Sequence, residues 1–233
     1  MSDGQRIVLI TGAAGNLGRA VAQRFKAAGD RLALVDLHAD ALATAYGEEG
    51  DDLLLGANLL KQEEADAAVA KTIARFGRID VLCNIAGGFR MGEAVHETSD
   101  GSWDLLFSLN ARTVLHMARA VVPQMLARSS GKIVNVASFS AQQGAALMGA
   151  YTASKSVVMR LTEAMSGELK AQGINVNCVM PTTLDTPENR KAMPDADPSQ
   201  WVSTQDLAQV IEFLSSPGAR AIHGAAIPVT GLS

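Results

Sequence analysis

The sequence predicts a single α/β domain built on a seven-stranded, doubly wound parallel sheet. Three observations carry that expectation. Short, nearly continuous apolar runs recur along the chain, stretches of helical period separate them, and a glycine-rich turn joins the first run to the first helical stretch. Strands buried on both faces read as unbroken apolar runs, and parallel strands need long crossover connections, usually helices. Sheets of this kind bind ligands at the carboxyl ends of their strands.

Taken in order, the strands are expected at 6–10, 32–35, 53–55, 79–83, 133–136, 174–179 and 226–229. Helical patterns fall between them near 17–28, 39–46, 61–76, 102–128, 150–172 and 204–215. The stretch 181–200 carries four prolines and several charges, and reads as an irregular lid over the site. At 233 residues the chain is long for one domain, but α/β folds often run this long, and no linker or repeat divides residues 1–233.

Composition narrows the function classes. The net charge is −4 with the basic residues scattered, which leaves no footprint for nucleic acid or an anionic membrane. No segment offers 18 uninterrupted apolar residues and the N-terminus runs straight into a strand, so a soluble cytoplasmic protein is expected. Cys83 and Cys178 lie in apolar strand runs and read as buried thiols. His38, His96, His116 and His223 show no ligand spacing with one another or with cysteine, and no metal is expected.

The turn Thr11-Gly12-Ala13-Ala14-Gly15-Asn16-Leu17-Gly18 follows the first strand and opens the first helix. Glycines let the backbone turn tightly and approach a pyrophosphate, whose charge the free N–H groups of the helix start can bind. Gly12, Gly15, Asn16, Leu17 and Gly18 are therefore candidate cofactor contacts. Asp36, followed by Leu37, ends the second strand 18 residues past Gly18. A carboxylate there can accept hydrogen bonds from ribose hydroxyls and repel a 2′-phosphate, which favours NAD(H) over NADP(H). Asn58-Leu59 and Asn84-Ile85-Ala86-Gly87 follow the third and fourth strands and would line the same crevice.

The chemistry centres on 135–155. The fifth strand ends toward Ser138, and a helix then carries Tyr151 and Lys155, four residues apart and so on one face. A phenol titrates near 10; bringing it near 7 needs about 4 kcal/mol, within reach of an ammonium in a water-poor site plus a cationic ring. Ser138 can hydrogen-bond a substrate oxygen, and the trio reads as a proton-transfer centre.

The order TGAAGNLG, Asp36, NIAG, Asn110, Ser138, Tyr151-x-x-x-Lys155 and PTTLDT resembles the short-chain dehydrogenase/reductase superfamily over essentially the whole chain. The resemblance implies a Rossmann-fold oxidoreductase with Tyr151 as proton donor or acceptor. It implies that Lys155 holds the nicotinamide ribose and lowers the Tyr151 pKa, that Ser138 orients the carbonyl, and that Asn110 supports a water relay. Pro181, Leu184 and Thr186 look like the segment that holds the carboxamide. It also implies a homodimer or homotetramer acting on a small carbonyl or alcohol substrate.

Three residues depart from the commonest pattern. Asn16 stands where the middle glycine is usual, Asn58 where aspartate is frequent, and Thr182 where glycine follows the proline. Together with the tail TLDTPENRKAMPDAD, the first and third resemble quinonoid dihydropteridine reductases, whereas Ser138 suits ketone or 3-oxoacyl reduction, the favoured reading. A non-catalytic NAD(H)-sensing or scaffold protein on the same fold would be expected to have lost part of the trio, which here is intact.

Overall fold

The computed structural model describes residues 5–47 and 50–233. The main sheet holds seven strands in the order β3-β2-β1-β4-β5-β6-β9. They are β1 (Ile7–Thr11), β2 (Arg31–Asp36), β3 (Leu53–Gly56), β4 (Val81–Asn84), β5 (Gly131–Val136), β6 (Ile174–Pro181) and β9 (Ala226–Val229), and every neighbouring pair is parallel. The chain leaves β3 at one edge and re-enters at β4 on the far side of β1, so the winding reverses between β1 and β4, where such folds open a crevice.

Alternation along each strand feeds two cores. Val8 and Ile10, Leu32 and Leu34, and Val81 and Cys83 face one layer, formed with α1 (Asn16–Ala27), α2 (Ala39–Tyr46) and α8 (Thr204–Leu214). Ile7 and Leu9, Ala33 and Val35, and Leu82 face the other, formed with α3 (Gln62–Phe76), α5 (Thr113–Ala127) and α6 (Gly149–Leu169). Period-two side chains on a sheet covered on both sides explain why the strands read as unbroken apolar runs.

Two expectations on element boundaries need correction. The helical pattern near 102–128 is two helices, α4 (Asp100–Phe107) and α5, joined by a π-helical turn over Ser108–Arg112. The stretch 181–200 is not wholly irregular. It holds β7 (Leu184–Asp185) and α7 (Pro187–Ala192), and β7 pairs in parallel with β8 (Val202–Ser203), closing the segment at its base. Residues 184–203 thus form a small flap whose helix is capped by the Thr186 hydroxyl, which accepts from Asn189 N at 3.2 Å.

Candidate active site

The turn after β1 is held from three sides. Gly12 adopts a left-handed φ of +64°, and a Cβ there would lie 2.8 Å from Ala86 N, in the turn after β4. A Cβ on Gly18 would collide with the Gly12 carbonyl, so helix and turn pack backbone to backbone. Gly15 differs: its Cβ position is nearly open, and this exposed N-cap presents the start of α1 to the crevice. Leu17 and Leu59 are buried in the two cores and offer only backbone to a ligand. Asp36 closes the turn from β2, with Oδ2 accepting from Ala14 N and Oδ1 from Leu37 N, at 2.9 and 2.8 Å. Tyr46 adds a bond from its hydroxyl to Ala13 O at 2.7 Å.

Asn58 turns inward on its own loop: its Oδ1 accepts from Leu60 N, and Glu64 accepts from Asn58 N. Asn84 ties two strands, donating from Nδ2 to Asn135 Oδ1 at 2.9 Å, and Asn135 in turn donates to Thr162 Oγ1 on α6. Thr11, which sequence reasoning left unremarked within its motif, accepts from both Ile85 N and Ala86 N at 3.1 Å. It fixes the 85–87 turn beside the glycine loop.

Asn110, Lys155 and Tyr151 converge at the carboxyl ends of β4 and β5. Asn110 sits in the π turn, a distortion that frees a side chain to point across a helix and often marks a functional site. Its Oδ1 accepts from Gly88 N at 2.8 Å, while Nδ2 donates to Gly88 O at 3.1 Å and to Ser154 Oγ at 3.0 Å. Ser154, also missed in the sequence, passes the link on to the Tyr151 carbonyl at 2.8 Å. Lys155 is buried and donates from Nζ to Val136 O at 2.8 Å. Gly87 fills the space between: a Cβ there would lie 2.7 Å from Asn110 Oδ1 and 3.2 Å from Lys155 Nζ. The pocket leaves no room for even a methyl group, which is why the turn ends in glycine.

The electrostatics correct one expectation. Burial pushes the Tyr151 phenol above its ordinary value, and the group that draws it back is the Ser138 hydroxyl, not Lys155. Burial also pulls the Lys155 ammonium down to about 8. Ser138 is itself buried, at the end of an extended segment, and its hydroxyl shares a 2.8 Å bond with that of Ser140. An undissociated phenol beside a serine hydroxyl is suited to giving a proton to a carbonyl oxygen.

Two loops wall the mouth of this site and are stitched by Gly92 N donating to Leu147 O at 2.8 Å. Leu147 holds a φ of +62°, a strained backbone for a bulky residue. Phe89 meets the Tyr151 ring edge-on, with centroids 4.8 Å apart. Met180, near the end of β6, is buried in a third core. Arg90 and Arg190 both have partners within the chain: Arg90 donates to Ser102 Oγ, and Arg190 forks onto Asp185 at 2.6 and 2.8 Å. Pro181 is buried at the end of β6, while Leu184 and Thr186 lie half-buried at the flap's base. Among the described residues no three His, Cys, Asp or Glu side chains gather as a metal site, and no helix is long and apolar enough to cross a membrane. Cys83 and Cys178 are buried and unpaired, and burial pushes both thiols up, that of Cys178 to about 11.

Residues 6–197 match the model of the short chain dehydrogenase family. The chain is 32 % identical to 2-(R)-hydroxypropyl-CoM dehydrogenase of Xanthobacter autotrophicus, over 97 % of each chain. It is 32 % identical to 2-dehydro-3-deoxy-D-gluconate 5-dehydrogenase of Dickeya dadantii, over 97 % of this chain and 94 % of that one. A 3-ketoacyl-(acyl-carrier-protein) reductase from Brucella melitensis, solved with NADH, superposes with a TM-score of 0.87 at 29 % identity, over 97 % of both. With the sheet order, the glycine turn and the tyrosine and lysine on one helix face, these matches settle the family: the chain belongs to the short-chain dehydrogenases/reductases, oxidoreductases that use a nicotinamide cofactor on CH–OH and C=O groups.

Proposed function

We propose that the protein is an NAD(H)-dependent ketone or 3-oxoacyl reductase, working reversibly on the corresponding secondary alcohol, with Tyr151 as general acid and base. The observation that carries this reading is the convergence of Asn110 and Lys155 on Gly87, a space that a single added methyl would fill, with Asn110 linked through Ser154 to the backbone of Tyr151. The crevice fits a dinucleotide: Gly15 leaves the start of α1 open, and Asp36 ends β2 beside it. The residues that would hold the cofactor are Gly12, Gly15, Asn16, Leu17 and Gly18 in the turn, Asp36 and Leu37 at the ribose, Asn58, Leu59, Asn84, Ala86 and Gly87 along the crevice, and Pro181, Leu184 and Thr186 at the flap. When bound, the nicotinamide supplies or accepts hydride at its C4.

The chain's own residues do the rest. Ser138 orients the carbonyl oxygen toward the phenol. Tyr151 gives that oxygen its proton in reduction and takes it back in oxidation. Lys155, anchored on Val136 O, holds its ammonium at the ribose side of the phenol. Asn110 fixes the turn that shapes this space. Phe89 packs edge-on against the Tyr151 ring, so the proton moves from a positioned phenol.

Preference for NAD(H) rests on the Asp36 carboxylate, which would repel a 2′-phosphate. A 3-oxoacyl substrate is supported by the likeness to the Brucella melitensis reductase. Trp103, Leu105, Leu115 and Leu126 leave apolar surface exposed on α4 and α5, which supports a homodimer or homotetramer through these helices. The test is a panel of simple ketones, 3-oxoacyl thioesters and quinonoid dihydropterins, each followed by NADH and by NADPH absorbance. Turnover of a ketone or 3-oxoacyl thioester with NADH well above NADPH is expected. Turnover confined to the pterin, or none with any carbonyl, would overturn the substrate reading.

A further inference from the structure

Asn16 stands where the family pattern has a glycine, and its side chain has two charged partners on opposite sides. Its Nδ2 donates to Glu188 Oε2 at 2.6 Å, and its Oδ1 accepts from Arg19 Nη2 at 2.8 Å. The anion and the cation fix which way the amide faces. Arg19 and Asn16 belong to the first turn of α1, whereas Glu188 belongs to α7 in the flap.

The sheet order makes this contact more than a surface pair. β1, which feeds the Asn16 turn, and β6, which feeds the flap, are separated by β4 and β5. Three strand spacings amount to about 14 Å. A direct bond between the two segments must therefore arch over the carboxyl ends of β4 and β5, across the crevice. Among the described residues it is also the one hydrogen bond joining α7 to any part of the fold outside 182–203, since Asn189 and Arg190 bond to Leu184 and Asp185 within the flap. The Glu188 carboxyl is held below its ordinary range, first by its own backbone N–H and then by Asn16, so it stays charged at neutral pH.

We infer that Asn16, oriented by Arg19, and Glu188 form a clasp that closes the flap over the bound dinucleotide and slows its release. A glycine at position 16 would leave α7 tethered only at its base, the β7·β8 pair. The inference rests on the dinucleotide reading of the crevice and is independent of the substrate.

The test uses the full chain, NADH and no substrate. Dissociation of NADH is followed by its fluorescence after mixing with excess NAD+, for the parent, Asn16→Ala, Glu188→Ala and the double variant. Glu188 is exposed, so its removal leaves the core intact. Each single change is expected to speed release about threefold, as suits an exposed charge-assisted bond, and the double change to speed it no further than the larger single one. Release rates equal to the parent in variants that still bind NADH would overturn the clasp alone, as would effects that multiply in the double variant. No NADH binding by the parent would overturn the dinucleotide reading, and the clasp with it.

Discussion

The ammonium of Lys155 lies 2.8 Å from the carbonyl oxygen of Val136, which pins the middle of α6 to the end of β5. Burial of this cation at the floor of the site costs it part of its proton affinity, taking its pKa from 10.5 down to about 8.

That shift gives a stability prediction with a definite sign. Between about pH 8 and 10.5 the unfolded chain holds this proton and the folded chain does not, so the contribution of Lys155 to stability rises with pH through that window. Lys155→Met removes the slope. Denaturant midpoints should show the variant's stability relative to the parent falling by about 2 kcal/mol between pH 7 and pH 10. A difference independent of pH would show that Lys155 keeps its ordinary affinity in the fold.

Gly87→Ala should damage the site more than its size suggests. The added methyl would press on both Asn110 Oδ1 and Lys155 Nζ, at 2.7 and 3.2 Å. Both are held on backbone partners and neither can yield freely. A loss of about 1–3 kcal/mol in stability is expected, together with a fall in turnover of about a hundredfold or more. Near-normal turnover would mean that the pocket at Gly87 is looser than its geometry.

Asp36→Asn tests cofactor choice. The amide keeps an acceptor for Ala14 N or Leu37 N but loses the charge, so folding should suffer by only about 1 kcal/mol. The ratio of kcat/KM for NADH over NADPH should fall about tenfold or more, mostly through KM. An unchanged ratio would remove Asp36 from the ribose site.

Much of this was legible in the sequence, for identifiable reasons. The seven main strands could be read because apolar residues from most of them face both cores, as Leu9 and Ile10 do, and so form nearly continuous apolar runs. The flap strands could not, since β7 and β8 are two residues each and carry no period. The π turn was hidden because one extra residue in a helical turn leaves the apolar pattern of 102–128 almost intact. Tyr151 and Lys155 were visible by spacing, but their proton affinities were not: spacing cannot tell that burial dominates at both. Thr11 and Ser154 were missed as small hydroxyls within runs already read for something else. A threonine immediately before the glycine turn was the available signal for the first, and Ser154 offered none.

The central claim is that the Tyr151 phenol moves the proton while the rest of the site holds the reactants. Tyr151→Phe deletes one oxygen and leaves Asn110, Lys155 and Gly87 in place, so the direct measurement is NADH affinity and turnover of this variant side by side on an identified carbonyl substrate. The account predicts an NADH dissociation constant within about twofold of the parent and a kcat lower by about a thousandfold or more. Turnover within a few-fold of the parent, with NADH still bound, would contradict it.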